Sequence, residues 1–221
     1  MSEVEAAANY RHIREELPEA VTLVVAAKGR RSEQIRRVIE AGAKIVGQNY
    51  VQEAEGVMAA LGETAGRAEW HMIGHLQRNK VNTALELFDA VQSLDSPRLA
   101  RAINRRADEP VRCLVEVNIA GEESKYGIPP EEVEDYLRQV GSMENLQVEG
   151  LMTMEPYFEN AEDARPYLRR MRALFEQARA LELPGIRMEV LSMGMTNSWR
   201  VAVEEGATMV RIGTAIFGPR R

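Results

Sequence analysis

The 221-residue chain is 45% hydrophobic and carries a formal net charge of −6, enough apolar content to bury one sizeable core without covalent staples. Its 28 Lys and Arg are spread through helical faces instead of forming a stripe, which disfavours nucleic-acid binding, and no apolar run approaches the ~18 residues that cross a bilayer. A single cysteine, Cys113, excludes an internal disulfide and the acidic start Met1-Ser2-Glu3-Val4-Glu5 lacks an apolar signal core, so a soluble protein of the reducing cytoplasm is expected.

From Glu3 to Leu17 the apolar residues are spaced like one face of a helix that ends before Pro18. Eight strand candidates follow: Val21–Ala27, Lys44–Val46, Trp70–Ile73, Ala90–Ser93, Cys113–Val117, Val148–Met152, Arg187–Leu191 and Thr208–Ile212. Between them lie amphipathic stretches at Glu33–Ala41, Tyr50–Leu61, Asn79–Leu87, Pro97–Ala107, Glu131–Val140, Ala161–Leu181 and Ser198–Glu205. Strands alternating with helices of this length imply βαβ units and a parallel sheet. Ser32, Ser96 and Asn197 stand where helix N-caps are expected, and Gly42 and Gly206 sit just past helix ends. "EAGAKIVGQN" at 40–49 and "EEGATMVRIG" at 204–213 repeat the same helix-Gly-Ala-strand form. No G-x-G-x-x-G or G-x-x-x-x-G-K-[ST] occurs, nor any linker-like tract. The expectation is an α/β chain folded as one (β/α)8 TIM-type barrel spanning 1–221, with an extra N-terminal helix over 1–17.

A barrel of this kind places reactive groups at the carboxyl ends of its strands, where Lys28 follows "VTLVVAA". Desolvation among apolar neighbours lowers an amine's pKa and favours a neutral nucleophile able to form a Schiff base; a lysine ending a strand is as often simply solvated. The loops after strands seven and eight decide between these, because such loops commonly hold a phosphate. "LSMGMTNSW" (191–199) supplies Ser192 and Thr196, and "MVRIGTAIFG" (209–218) supplies Gly213 and Thr214. Backbone amides, hydroxyls and a helix beginning near Asn197 would converge on a dianion. Arg211, near the mouth end of the last strand, is costly there unless it is paired or faces a ligand, and a salt bridge to Glu116 would also satisfy it. Asn49 is placed either to hydrogen-bond a ligand or to cap the helix that starts at Tyr50. His71 and His75 lack zinc-ligand spacing, so no metal site is expected. Cys113 and the methionines of "GLMTMEP" (150–156) read as packing residues, and "EESKYG" (122–127) as a charged surface loop.

In five places the chain resembles the pyridoxal-phosphate homeostasis proteins, single-domain relatives of the barrel half of alanine racemase. These are Lys28 after the first strand, "GQNYVQE" at 47–53, "WHMIGHLQRNK" at 70–80, "LSMGMT" at 191–196 and "MVRIGTAIFG" at 209–218. It departs from the family's habit with Gln48 for Glu, Ala27 for Ser and Thr196 for Ser; Thr196 keeps the hydroxyl. The resemblance implies pyridoxal 5′-phosphate as cofactor, held on Lys28 as a Schiff base, with Ser192, Thr196, Gly213 and Thr214 around the phosphate. It also implies that Arg211 faces the pyridine nitrogen; Asn49, by its place after the second strand, is positioned for the ring hydroxyl or the lysine as well as for the helix cap, which is its first expected role. A guanidinium does not release its proton at ordinary pH, so the ring would stay a weak electron sink. The barrel racemases take a second base from an added domain, and here the chain ends at Arg221 soon after the eighth strand. The expected function is therefore a monomeric cytoplasmic carrier that buffers the coenzyme and delivers it to PLP-dependent apoenzymes, with no catalytic residue. The alternatives are an amino-acid racemase using Lys28 and a second base such as His75, and a coenzyme-free Schiff-base aldolase.

Overall fold

The computed structural model describes residues 3–122 and 125–219. Eight parallel strands close into a barrel in sequential order: β1 (Thr22–Ala26), β2 (Ile45–Gln48), β3 (Glu69–Met72), β4 (Ala90–Leu94), β5 (Val111–Val117), β6 (Leu146–Thr153), β7 (Ile186–Ser192) and β8 (Met209–Ile212). The ring closes where β8 pairs with β1, in the register Thr22↔Met209 to Val25↔Ile212. The expected TIM-type barrel is thus the observed one, with each strand found within two residues of its expected bounds. Pairing with β1 carries β2 out to Gly47 and pairing with β3 carries it to Gln48.

Before the barrel stands α1 (Glu3–Glu16), which lies against α2 (Ser32–Glu40) and the short C-terminal α9 (Thr214–Phe217). Arg14 stops α1 by donating to the carbonyls of Leu17, Pro18 and Val21 at 3.0, 2.7 and 2.7 Å, answering acceptors that a helix end leaves unpaired. The remaining helices are α3 (Val51–Leu61), α4 (Val81–Leu87), α5 (Pro97–Arg106), α6 (Val133–Val140), α7 (Arg165–Ala180) and α8 (Trp199–Glu204). Three of the expected long helices open with a 3-10 turn, at Arg78–Lys80, Pro130–Glu132 and Ala161–Ala164.

Of the expected N-caps, Ser96 accepts from the Leu99 amide at 3.3 Å, with Pro97 opening α5. The other three differ. Arg31 occupies the cap of α2, and Ser32 is already helical. The cap of α3 is Tyr50, without a side-chain bond, so Asn49 is released from that role. Ser198 caps α8, while Asn197 donates across to the Phe158 and Glu159 carbonyls. Gly42 and Gly206 do adopt the left-handed backbone that ends a helix.

Side chains alternate across the barrel wall. Val25 and Val46 face the helices in the large outer core, whereas Val24, Ile45, Ile73, Leu114, Met152 and Met209 form a small apolar layer of their own. Toward the strand ends that layer gives way to polar residues, among them Gln92, Ser192 and Arg211, and the functional cavity lies there.

Candidate functional site

Six βα loops frame a cavity of about 530 Å³ at the carboxyl ends of the strands, within the ~300–1,000 Å³ typical of small-ligand pockets. Lys28 enters it two residues past β1, half-buried, its Nζ 5.0 Å from the centre of the Tyr50 ring. From the other side come Thr196 on the β7 loop and Gly213 and Thr214 after β8. The two loops are tied together, since the Ala215 amide donates to Thr196 Oγ1 at 3.1 Å. Gly213 is where β8 leaves the barrel beside β1: a Cβ there would lie 2.8 Å from the Ala26 carbonyl oxygen. Any larger residue would push the two strand ends apart.

Arg211 lines the same cavity and is only 4% exposed. It does not pair with Glu116; its guanidinium donates to Ser192 Oγ at 2.7 Å and to the Thr153 carbonyl at 2.6 Å. Burial holds it below the ordinary arginine value, while the charges of Glu155 and Glu116 pull the other way. Ser192 is fully buried and outside the cavity lining. Its hydroxyl accepts from Arg211 and donates to Gln92 Oε1 at 2.8 Å, and Gln92 reaches on to His71 Nδ1 at 2.8 Å. A polar chain therefore crosses the barrel interior and ends by fixing Arg211. Desolvation lowers the His71 pKa, with Glu69 opposing, which suits a neutral ring between these partners.

Asn49 lines this cavity and also a second one of about 440 Å³, which it shares with Glu116, His75, Lys80, Lys125 and Tyr126. Gly74 permits the approach, because a Cβ on it would meet the Asn49 backbone at 2.7 Å. His75 is no free loop residue: its Nδ1 lies 2.5 Å from Asp95 Oδ2 and its ring stacks on Tyr126 at 3.7 Å. Glu116 is 8% exposed, and burial, reinforced by the charge of Asp95 and opposed by Arg211, pushes its pKa up to about 7. The loop at 122–127 is described except for 123 and 124. Among the described residues no cluster of three metal-ligating side chains occurs, and no helix is long and apolar enough to cross a membrane.

Two cavity residues escaped the sequence reading. Glu155, two residues beyond the β6 carboxyl end, is 1% exposed and accepts a hydrogen bond from Ser198 Oγ. Ser198 in turn accepts from the Met195 amide at 3.0 Å and so shapes the loop that carries Thr196. The rule that strand ends carry function pointed to both; the methionines flanking Glu155 drew the packing interpretation instead.

A family model described as "Alanine racemase, N-terminal domain" matches residues 4–221. The pyridoxal phosphate homeostasis protein of Aquifex aeolicus (strain VF5) is 41% identical over 202 residues, covering 90% of this chain and 87% of that one. The protein of the same description from Escherichia coli (strain K12) is 36% identical over 214 residues, covering 92% and 87%. PipY of Synechococcus elongatus PCC7942, solved with PLP bound, superposes with a TM-score of 0.88 at 31% identity over 96% of this chain and all of that one. The alanine racemase of E. faecalis shares the fold alone, with a TM-score of 0.75 at 17% identity, this chain spanning 59% of its length.

Proposed function

The chain belongs to the alanine racemase N-terminal domain family and, within it, to the pyridoxal phosphate homeostasis proteins, and on that premise we propose that it holds pyridoxal 5′-phosphate covalently through Lys28 and exchanges it without turnover. The observation that carries the proposal is the convergence, in one cavity, of the Lys28 amine with hydroxyls and amides from the β7 and β8 loops. The donor set fits the coenzyme. Thr196, Thr214 and the amides of Gly213 and Thr214 suit a phosphate dianion, and Asn49 is available to a ring hydroxyl. Ser192, expected at the phosphate, is assigned instead to fixing Arg211.

A bound coenzyme supplies electron withdrawal from an attached amine, strongest when its ring nitrogen is protonated. Arg211 is the cavity's group for that nitrogen, and it can only donate. Arg211 would therefore leave a bound ring's nitrogen unprotonated, which suits holding more than turnover. Release to PLP-dependent apoenzymes fits the rim: the large apolar side chains exposed among the described residues, Tyr50, Tyr126, Met154 and Tyr157, all line the two mouth cavities. With no other such patch among those residues, the chain is read as a monomer whose mouth meets its recipients. Residence in the cytoplasm is part of the same reading, supported by the lone, buried Cys113, its thiol pushed up to about 12 by burial.

The test is the purified protein mixed with pyridoxal 5′-phosphate, reduced with borohydride and mapped by mass spectrometry. A coloured species whose adduct lies on the Lys28 peptide is expected, lost in Lys28→Ala. A colourless protein, or an adduct unchanged in Lys28→Ala, refutes the proposal, and sustained exchange of an amino acid's α-proton in deuterated water would replace the carrier with a racemase.

A further inference from the structure

The wall of the main cavity holds an anion where an anion-binding site is expected to hold none. Glu155 is 1% exposed, its Oε1 accepts from Ser198, and its Oε2 is buried without any hydrogen-bond partner. A carboxylate oxygen buried in that state is costly, and in a folded protein it calls for a reason. A direct ion pair does not provide one among the described residues; Glu155 is felt by Arg211 only through charge, without a bond. The two arginines of the same wall are committed elsewhere, which leaves Lys28 as the wall's other cation. Arg211 donates to Ser192 and Thr153, and Arg30 donates to the Phe217 and Gly218 carbonyls. A phosphate dianion entering beside Thr196 would thus meet hydroxyls and backbone amides, no uncommitted guanidinium, and one carboxylate coupled through Ser198 to the very loop that carries Thr196.

We propose that Glu155 is an affinity-limiting residue, a fixed negative charge that weakens the grip on the phosphate end of the ligand and so keeps the ligand exchangeable. This rests on the reading of the cavity as a coenzyme site and adds the device that sets its residence time. In a cavity wall of intermediate dielectric, a like charge lowers affinity on the order of tenfold per unit of charge. Phosphate-bearing ligands should feel Glu155, whereas pyridoxal, which has no phosphate, should not.

The experiment compares wild type with Glu155→Gln, which keeps the hydrogen bond from Ser198 and removes the charge, and Glu155→Asp, which keeps the charge. Dissociation constants are measured for inorganic phosphate, pyridoxal 5′-phosphate and pyridoxal, the last two by absorbance. Glu155→Gln is expected to tighten inorganic phosphate and pyridoxal 5′-phosphate by about tenfold or more, leaving pyridoxal unchanged, while Glu155→Asp matches wild type. If Glu155→Gln does not fold, Glu155→Ala takes its place. Unchanged or weaker phosphate binding overturns the proposal, and so does equal tightening of pyridoxal, which would place the effect at the amine or the ring. Wild type that binds inorganic phosphate yet forms no coloured adduct refutes the coenzyme reading alone, leaving the phosphate comparison to judge Glu155.

Discussion

Replacing Glu116 with Gln should make the protein more stable, with a gain that is absent below about pH 4.5 and grows until pH passes about 7. Glu116 is 8% exposed in the barrel interior, and its Oε2 has no hydrogen-bond partner. Burial, followed by the charge of Asp95, raises its pKa from 4.5 to about 7, against the pull of Arg211. The raised value means that the folded state favours the neutral acid. Its contribution to stability is complete below about pH 4.5 and is lost as pH climbs through about 7. The full span is about 2.5 pH units at ~1.36 kcal/mol each, or about 3 kcal/mol. Unfolding 221 residues carries an entropy of about 2.1 cal/mol/K per residue, so this corresponds to a Tm shift of about 7 °C. Urea and thermal unfolding of wild type and Glu116→Gln from pH 4.5 to 8.5 would measure it. The stability difference should grow with pH through 5–8 and level off near 3 kcal/mol. A difference constant across that range, or one that shrinks above pH 7, would refute the reasoning, because either would mean that Glu116 ionises freely in the folded protein.

Three further changes act on the frame of the site. Ser192→Ala removes both the acceptor of an Arg211 donor and the donor to Gln92 Oε1; leaving these buried groups unmet should cost about 1–3 kcal/mol in urea unfolding and weaken coenzyme retention. Thr196→Val abolishes the acceptor for the Ala215 amide and should lower inorganic phosphate affinity about tenfold, whereas Thr196→Ser should restore it, as titration would show. Gly213→Ala places a methyl 2.8 Å from the Ala26 carbonyl oxygen; forcing the β8 and β1 ends apart should lower stability by about 1–3 kcal/mol, read as a fall in Tm, and abolish the coloured adduct.

The barrel was legible because its grammar is local. Each strand is a short apolar run, each helix a periodic stretch, and Gly42 and Gly206 mark the same helix stop twice. Lys28, Thr196, Gly213 and Thr214 were legible for a related reason: strand ends in a parallel barrel converge, so sequence position alone assigned them to one mouth. What escaped depends on contacts that no spacing encodes. Gln92 reads as one more residue of a strand, yet it joins His71 to Ser192 across the barrel. Nothing in the spacing of His75 shows that Tyr126, from the loop after β5, stacks on its ring. The four-residue α9 is too short to show a period, and Gly213 and Gly218 frame it as a turn.

The location of the buried charge explains why stability and ligand affinity should separate in this molecule. Two residues before Arg211 along β8, Met209 belongs to the dry layer that holds the barrel together. Arg211 itself stands above that layer with one carboxylate in each of the two mouth cavities, Glu155 in the larger and Glu116 in the smaller. Both act on the guanidinium through charge without a direct bond. Glu116 is buried, with Asp95 adding its charge, so that its own ionisation is the expensive event and its signature is the pH dependence of folding. Glu155 sits in the wall beside Thr196 and Ser198, so its signature is the affinity for an anion. Because Arg211 stands between the two, Glu116→Gln should leave phosphate affinity within about threefold of wild type, under 1 kcal/mol. A larger change would mean that the two cavities behave as one electrostatic unit.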